Sequence, residues 1–369
     1  MRSFDEVTSW IALSLINGLG SGLIRRLILK FEKPANIFSS TFDSLTSLKG
    51  ITENLAVKIL NQEFNRDPDV VMEMVRESKA RVITWNDDEY PALLREIHYP
   101  PAVLFAKGIS VPNVPCIAIV GSRNASDYGL KAAYALAEGL ASNNICVISG
   151  LAAGIDAAAH RGALSAKGIT IGVLGTGIDV IYPAFNKKLF ERIESEGLLL
   201  TEFLPGSKPE ARNFPIRNRI ISGLSLGIVV VEATKKSGSL ITVDHALEQS
   251  RDVFAVPGNI NSSTSTGTHR LIKQGAKLVE RVEDILEEYN IKQIAKDKYE
   301  KSQLINNEVS NLIPQDEMYI LTLLQKNPMH MDEIVRKSGR DVGIVASLLL
   351  NLELIGAIKQ LPGKIFMRN

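Results

Sequence analysis

The chain has 369 residues, 45% of them hydrophobic and 22% charged, with a mean hydropathy of +0.06. This is the composition of a folded globular protein with room for two or three domains of roughly 100 to 200 residues, and it excludes disordered and fibrous classes. Lys and Arg number 42 against 41 Asp and Glu, a net charge of +1, so a polyanion would have to be held by locally gathered cations and not by the overall field. From Glu6 to about Ala80 apolar residues recur at spacings of three and four, broken by the glycine turns GLGSG (18–22) and LKGIT (48–52); this predicts a small all-α domain over 1–80. Past Arg81, with Pro91, Pro100 and Pro101 on the way, the pattern becomes short β-branched runs alternating with helical stretches: CIAIV, ICVIS, TIGVL, LLLTEF, GIVVVEA and DVFAVPG. That alternation predicts an α/β domain over 81–287, built on a parallel sheet. Residues 288–311 are charged and poor in large apolar side chains, and read as a linker. Over 312–369, three helices (DEMYILTLLQKN, MDEIVRKSG, DVGIVASLLLNLEL) and a hairpin around Pro362 and Gly363 predict a winged helix. Cys116 and Cys146 lie in apolar runs, as thiols of a reducing cytosol do. With neither a signal-like start nor a run of about 18 apolar residues, a cytoplasmic protein without membrane partners is expected.

In the α/β part, each strand runs into a small-residue loop that opens a helix: VGSRNAS, SGLAAGID, LGTGID and SGSLIT. Such loops bare backbone N–H groups, and at the carboxyl edge of a parallel sheet these donors converge with helix N-termini. A phosphate-bearing ligand is therefore expected near Gly121, Ser122, Arg123, Ser149, Gly150, Lys236, Ser237, Gly238 and Ser239. The dinucleotide fingerprint GxGxxG is absent, since Gly121 is followed by no glycine until Gly129; this excludes an ordinary nicotinamide-dependent oxidoreductase. Arg123 either forks onto a phosphate or pairs with a carboxylate such as Asp156 or Glu232.

Taken in order, VGSRNAS, SGLAAGIDAAAHRGAL, GVLGTGIDVIYPAFNKKL, NFPIRNRIISGLS, VVVEATKKSGSLITVDHALEQSRDVFAVPGN and GTHRLIKQGA resemble the DNA processing protein A family, also called Smf. The resemblance covers most of residues 82–280, and the flanking parts are similar to those of its longer members. It implies an extended Rossmann-like fold that needs no cofactor and is not an enzyme. It further implies a protein that binds single-stranded DNA, self-associates near HRLIKQGAKLV, and loads RecA recombinase onto the strand in natural transformation.

On that reading NFPIRNRIISG (213–223) lines the DNA pocket. Phe214 offers a ring for a base, and in an extended run Arg217 and Arg219 would share one side around Asn218. The competing reading is a core strand with one snorkelling arginine. Lys187 or Lys188 is expected to extend the track, with Lys235 and Lys236 nearby. His160 reads as a helix residue bonded to a neighbouring loop, because no nucleophile stands beside a base and no metal-ligand spacing occurs. The alternative enzyme is a nucleotide phosphoribohydrolase of the LOG-like type, whose PGGxGTxxE signature is replaced here by SGSLITVDHA. In the N-terminal domain, GLGSGLIRRLILKF and LKGITENLAVKIL resemble helix-hairpin-helix units; Arg25, Arg26 and Lys30 serve either DNA contact or packing. The third helix of the winged domain has no Lys or Arg from Asp341 to Leu354, which favours protein contact over duplex binding.

Overall fold

A computed structural model describes residues 2, 4–291, 315–324, 328–354, 357–361 and 363–368. These residues form two compact units, Met1–Tyr289 and Asn290–Asn369. The predicted linker falls almost wholly outside the described residues, as does Pro362 of the hairpin.

The first unit opens with six short helices, α1 (Glu6–Ser14), α2 (Ser21–Phe31), α3 (Pro34–Phe38), α4 (Phe42–Thr46), α5 (Glu53–Leu60) and α6 (Pro68–Glu77). Asp5, Thr41, Thr52 and Asp67 cap four of them by accepting a hydrogen bond from a first-turn N–H, each cap being worth about 1 kcal/mol.

A nine-stranded sheet follows, comprising β1 (Arg81–Thr84), β2 (Val103–Gly108), β3 (Cys116–Val120), β4 (Cys146–Ser149), β5 (Thr170–Val173), β6 (Leu198–Thr201), β7 (Gly227–Val230), β8 (Asp252–Ala255) and β9 (Lys277–Leu278). Its order is β1-β2-β6-β5-β4-β3-β7-β8-β9. The six β-branched runs form the parallel core β3–β8, as the sequence predicts, and β9 extends it in parallel. β1 and β2 add an antiparallel edge with no counterpart in the sequence reading, so the sheet is mixed. The helices between and beyond the strands are α7 (Ala92–Glu96), α8 (Asp127–Ser142), α9 (Ile155–Ser165), α10 (Lys187–Glu196), α11 (Asn213–Gly223), α12 (Ser239–Glu248), α13 (Thr266–Lys273) and α14 (Glu283–Leu286).

Alternate strand residues feed two apolar layers, as the period of two requires. Phe105 and Leu199 join Ala157, Leu164, Leu189 and Ile193 on one face, in a cluster continuous with Trp10, Leu27 and Ile59 of the N-terminal helices. Leu104, Leu198 and Leu200 join Leu94, Ile220, Ile221 and Val243 on the other. Each fully buried side chain of this size contributes roughly 1.5–3 kcal/mol. The α/β core is therefore a sandwich of helices around a largely parallel sheet, the Rossmann-like class.

The second unit packs α15 (Gln315–Leu323), α16 (Met331–Ser338) and α17 (Val342–Leu354) with a three-stranded sheet ordered β10 (Met329–His330), β12 (Ile365–Arg368), β11 (Ile358–Leu361). Ile320, Ile334, Val345, Leu349, Ile358 and Phe366 form its core. This is the expected winged helix.

Candidate nucleic-acid interface

The strand order reverses at β3, which pairs with β4 on one side and β7 on the other. Loops diverge at such a point, leaving a crevice at the carboxyl ends of the strands. A cleft of about 660 Å³ opens there. Gly121, Ser122, Arg123 and Asn124 line it from the loop after β3, Ala152 and Asp156 from the loop and helix after β4, and Ser237, Gly238 and Ser239 from the start of α12. A second cleft of about 290 Å³ adjoins it, lined by Gly150, Gly175, Thr176, Tyr182 and Phe185. Arg123, Phe214 and Arg217 belong to both.

The stretch NFPIRNRIISG is helix α11 and not an extended run, which corrects the reading that Arg217 and Arg219 share a side. Asn213, Arg217, Ile220 and Ile221 are buried along one helical face, and Ser222, Gly223 and Leu224 are buried at the C-terminal end of the helix. Pro215 is tolerated because it sits in the first turn, where no intrahelical donor is lost. Two residues apart on a helix, the two arginines diverge. Arg217 turns inward: Nη2 donates to the Gly150 carbonyl at 2.9 Å and Nη1 to Asn218 Oδ1 at 3.3 Å. Arg219 turns away, where it donates to Glu202 through both terminal nitrogens and to the Tyr99 carbonyl through Nε at 3.1 Å. Arg219 thus fastens α11 to the end of β6 and stands outside both clefts. Ile216, in turn, is exposed, so of the isoleucines of the helix Ile220 and Ile221 are the ones in the core.

Phe214 is the hinge of the site. Its ring lies against Gly175, where a Cβ would come within 2.7 Å of it, so any larger residue would push the ring out. Tyr182 packs beside it with ring centroids 5.4 Å apart. The Arg123 guanidinium sits over the ring at 5.1 Å and that of Arg217 at 5.9 Å, within cation–π range. Gly150 has a similar role for Arg217, since a Cβ there would overlap the guanidinium.

Electrostatically, the two arginines differ. Arg217 is buried, and burial pushes its pKa down to about 10, against the favourable field of Asp156 and with the repulsion of Arg123. Burial likewise raises Asp156, opposed chiefly by Arg217, while its Oδ2 accepts from the N–H groups of Gly150 (3.2 Å) and Ala152 (3.3 Å). Arg123 is exposed and forms no ion pair within 4 Å among the described residues. Glu232, named above as its possible partner, is instead committed to Ser126 N (2.9 Å), Ser126 Oγ (2.6 Å) and Thr264 Oγ1 (3.0 Å), which holds the start of α8.

Of the residues singled out in the sequence, Gly121, Ser122, Arg123, Gly150, Phe214, Arg217, Asn218, Ser237, Gly238 and Ser239 come together at the clefts. Ser149 does not: it is buried, and its hydroxyl donates to the Ile119 carbonyl at 2.6 Å, tying β4 to β3. Lys187 and Lys188 begin α10 on the surface, with Lys187 facing Glu191 at 3.8 Å. Lys236 is exposed in the loop before α12 without lining either cleft. Arg25, Arg26 and Lys30 donate to the carbonyls of Ile97, Lys49 and Ser44. Sequence reasoning missed Tyr182 and Phe185. Their signal was IYPAF, two rings around a proline in a strand-to-helix loop, overshadowed by the lysine pair that follows.

His160, on α9, is fully buried and shares a 2.7 Å hydrogen bond with Thr170 at the start of β5 through Nδ1. Thr170 Oγ1 donates to the Val147 carbonyl, so it accepts from His160 and the Nδ1–H tautomer is present. Burial, aided by Arg217, pushes its pKa down to about 3 from the ordinary 6.5. The unfolded chain therefore binds one more proton between those values, and folding stability should fall as pH drops from about 6.5 toward 3, by about 1 kcal/mol per pH unit. Urea midpoints at pH 5 and 7 should differ more for the wild type than for His160→Gln; equal differences would remove His160 from the pH dependence.

Fold and clefts together define a Rossmann-like protein with adjoining clefts at the topological switch point, in which guanidinium groups and aromatic rings are interleaved. Residues 81–290 match the family profile described as DNA recombination-mediator protein A, and residues 314–364 match the DprA winged helix domain. The chain belongs to this DNA-processing family. It is similar to Protein Smf of Synechocystis, 34% identical over 99% of each chain, and to DNA processing protein DprA of Streptococcus pneumoniae, 48% identical over 55% of this chain and 72% of that one. The X-ray structure of the pneumococcal protein aligns with a TM-score of 0.69 at 38% identity, covering 78% of this chain and 99% of the other. The Helicobacter pylori protein, solved for its single-stranded DNA binding mode, aligns with a TM-score of 0.52 at 28% identity, covering 60% and 98%. Among the described residues no helix is long and apolar enough to cross a membrane.

Proposed function

We propose that this protein holds single-stranded DNA along the carboxyl edge of the sheet, without catalysis, and passes it to RecA recombinase during natural transformation and recombination. The observation that carries the reading is the juxtaposition of Arg123, exposed and without an ion pair within 4 Å among the described residues, with the rings of Phe214 and Tyr182. Cations that track phosphates, interleaved with rings that stack on any base, bind a single strand with little regard to sequence. A duplex hides the faces of its bases, so the rings would gain nothing from it. The single-stranded DNA binding mode of the Helicobacter pylori protein supports the same ligand, and membership of a family of recombination mediators supports transfer to a recombinase. Gly121, Ser122, Gly150, Asn218, Ser237, Gly238 and Ser239 would supply backbone and side-chain donors, with Lys187, Lys188 and Lys236 available to a longer strand. Self-association is assigned to the α13–β9 border, where β9 ends the sheet and Leu278 is 42% exposed.

The nucleotide-hydrolase alternative is disfavoured because SGSLITVDHA stands where PGGxGTxxE is expected and both oxygens of Glu232 are bonded to Ser126 and Thr264; release of adenine from AMP by the pure protein would revive it. In the winged domain, α17 exposes Val342, Ile344 and Leu350 and carries no Lys or Arg, which favours a protein contact. Fluorescence anisotropy of labelled single-stranded, duplex and mononucleotide ligands across a salt series tests the main reading. The single strand should bind best, with log affinity falling linearly in log salt. Equal or tighter duplex binding would sink it.

A further inference from the structure

The sequence points to Phe214 as the ring on which a base stacks, and part of that ring is engaged by its own neighbours. It rests on Gly175 and Tyr182 and carries the guanidiniums of Arg123 and Arg217 within 6 Å. At 5.4 Å between centroids Tyr182 and Phe214 are in direct ring–ring contact, so no base fits between them. Phe185 is different. It lines the smaller cleft together with Tyr182 and Phe214, is 74% exposed, and makes no ring–ring or cation–ring contact among the described residues. A lone exposed phenylalanine is unremarkable on a protein surface, but this one stands beside an arginine-lined slot at the switch point of the sheet. Lys187 and Lys188 follow it after the buried Asn186, so a base on Phe185 would bring its phosphates toward two exposed lysines, Lys187 lying 3.8 Å from Glu191.

We infer that Phe185 is a base-stacking platform of the strand site, engaging a nucleobase beside the position held by Phe214 and Arg123. The inference rests on the single-strand reading above. It makes affinity depend on the base itself and not only on the phosphates.

The test compares wild type, Phe185→Ala and Phe185→Trp, all as full chains, on a labelled oligothymidine and on an oligonucleotide of equal length with abasic residues. Phe185→Ala should lose about 5- to 100-fold in affinity for the oligothymidine and change little on the abasic strand, and Phe185→Trp should retain or improve binding to the base-bearing strand. Wild-type binding to oligothymidine with no loss in Phe185→Ala would overturn the platform while leaving the single-strand reading intact. Equal losses on both strands would also overturn it, because the side chain would then act through the loop and not through a base. Absence of wild-type binding to either strand would overturn the reading and the inference with it. The side chain is mostly exposed, so its removal opens no core cavity.

Discussion

Arg123→Ala should weaken binding of single-stranded DNA by about 10- to 100-fold near 0.1 M salt while leaving the thermal midpoint unchanged. The asymmetry follows from its surroundings. Arg123 is exposed, has no ion pair within 4 Å among the described residues, and lies over the Phe214 ring at 5.1 Å. Its loss therefore strips one charge-assisted contact, worth about 1.5–3 kcal/mol, from the ligand and little from the fold. Removing one phosphate contact should also flatten the slope of log affinity against log salt by about 0.7. Comparing titrations at several salt concentrations with melting curves checks both halves. A folded variant with wild-type affinity and slope would take Arg123 out of the site.

Arg217→Ala should behave differently, losing both binding and stability. Its guanidinium is buried, bonded to the Gly150 carbonyl, and set in the field of Asp156. Without it a buried carboxylate keeps its desolvation cost and loses its main cationic neighbour, and the Gly150 carbonyl loses a donor; removing one member of a buried charged network costs about 3–5 kcal/mol. Arg217→Lys should recover only part of this, since a single ammonium cannot reproduce the fork to Gly150 and Asn218. Urea denaturation gives the stability term, and the midpoint of Arg217→Ala should lie well below that of Arg123→Ala. Similar midpoints would mean that Arg217 is not structural. Only the Arg123 result then isolates ligand contact from folding.

The parallel core was legible in the sequence because the central strands are buried on both faces, so CIAIV, IGVL and GIVVV are unbroken apolar runs. The small-residue loops were legible for a related reason, since a close approach of backbone to ligand or side chain leaves no room for a Cβ, as at Gly150. The antiparallel edge β1-β2 was not, because RVIT is only four residues long and prolines at 91, 100 and 101 mask the approach to VLFAKG. Helix α11 misled for a more instructive reason: its buried face contains Arg217, and an arginine counted as polar breaks the helical pattern that Asn213, Ile220, Ile221 and Leu224 otherwise draw. Arg219, two positions on, looked equivalent in sequence and is instead held by Glu202 across 17 residues. No local pattern could reveal that pairing. The cleft was thus readable as a set of loops, whereas the division of labour among its arginines and rings required the fold.

The most direct test is photo-crosslinking of the full chain to a single strand carrying 5-iododeoxyuridine, followed by mass-spectrometric mapping of the attached peptides. Crosslinks should fall on Tyr182, Phe185 or Phe214 and disappear when unlabelled single strand is added in excess. Crosslinks confined to the N-terminal helices or to the winged helix, with none on peptides that contain these rings, would contradict a strand site at the carboxyl edge of the sheet.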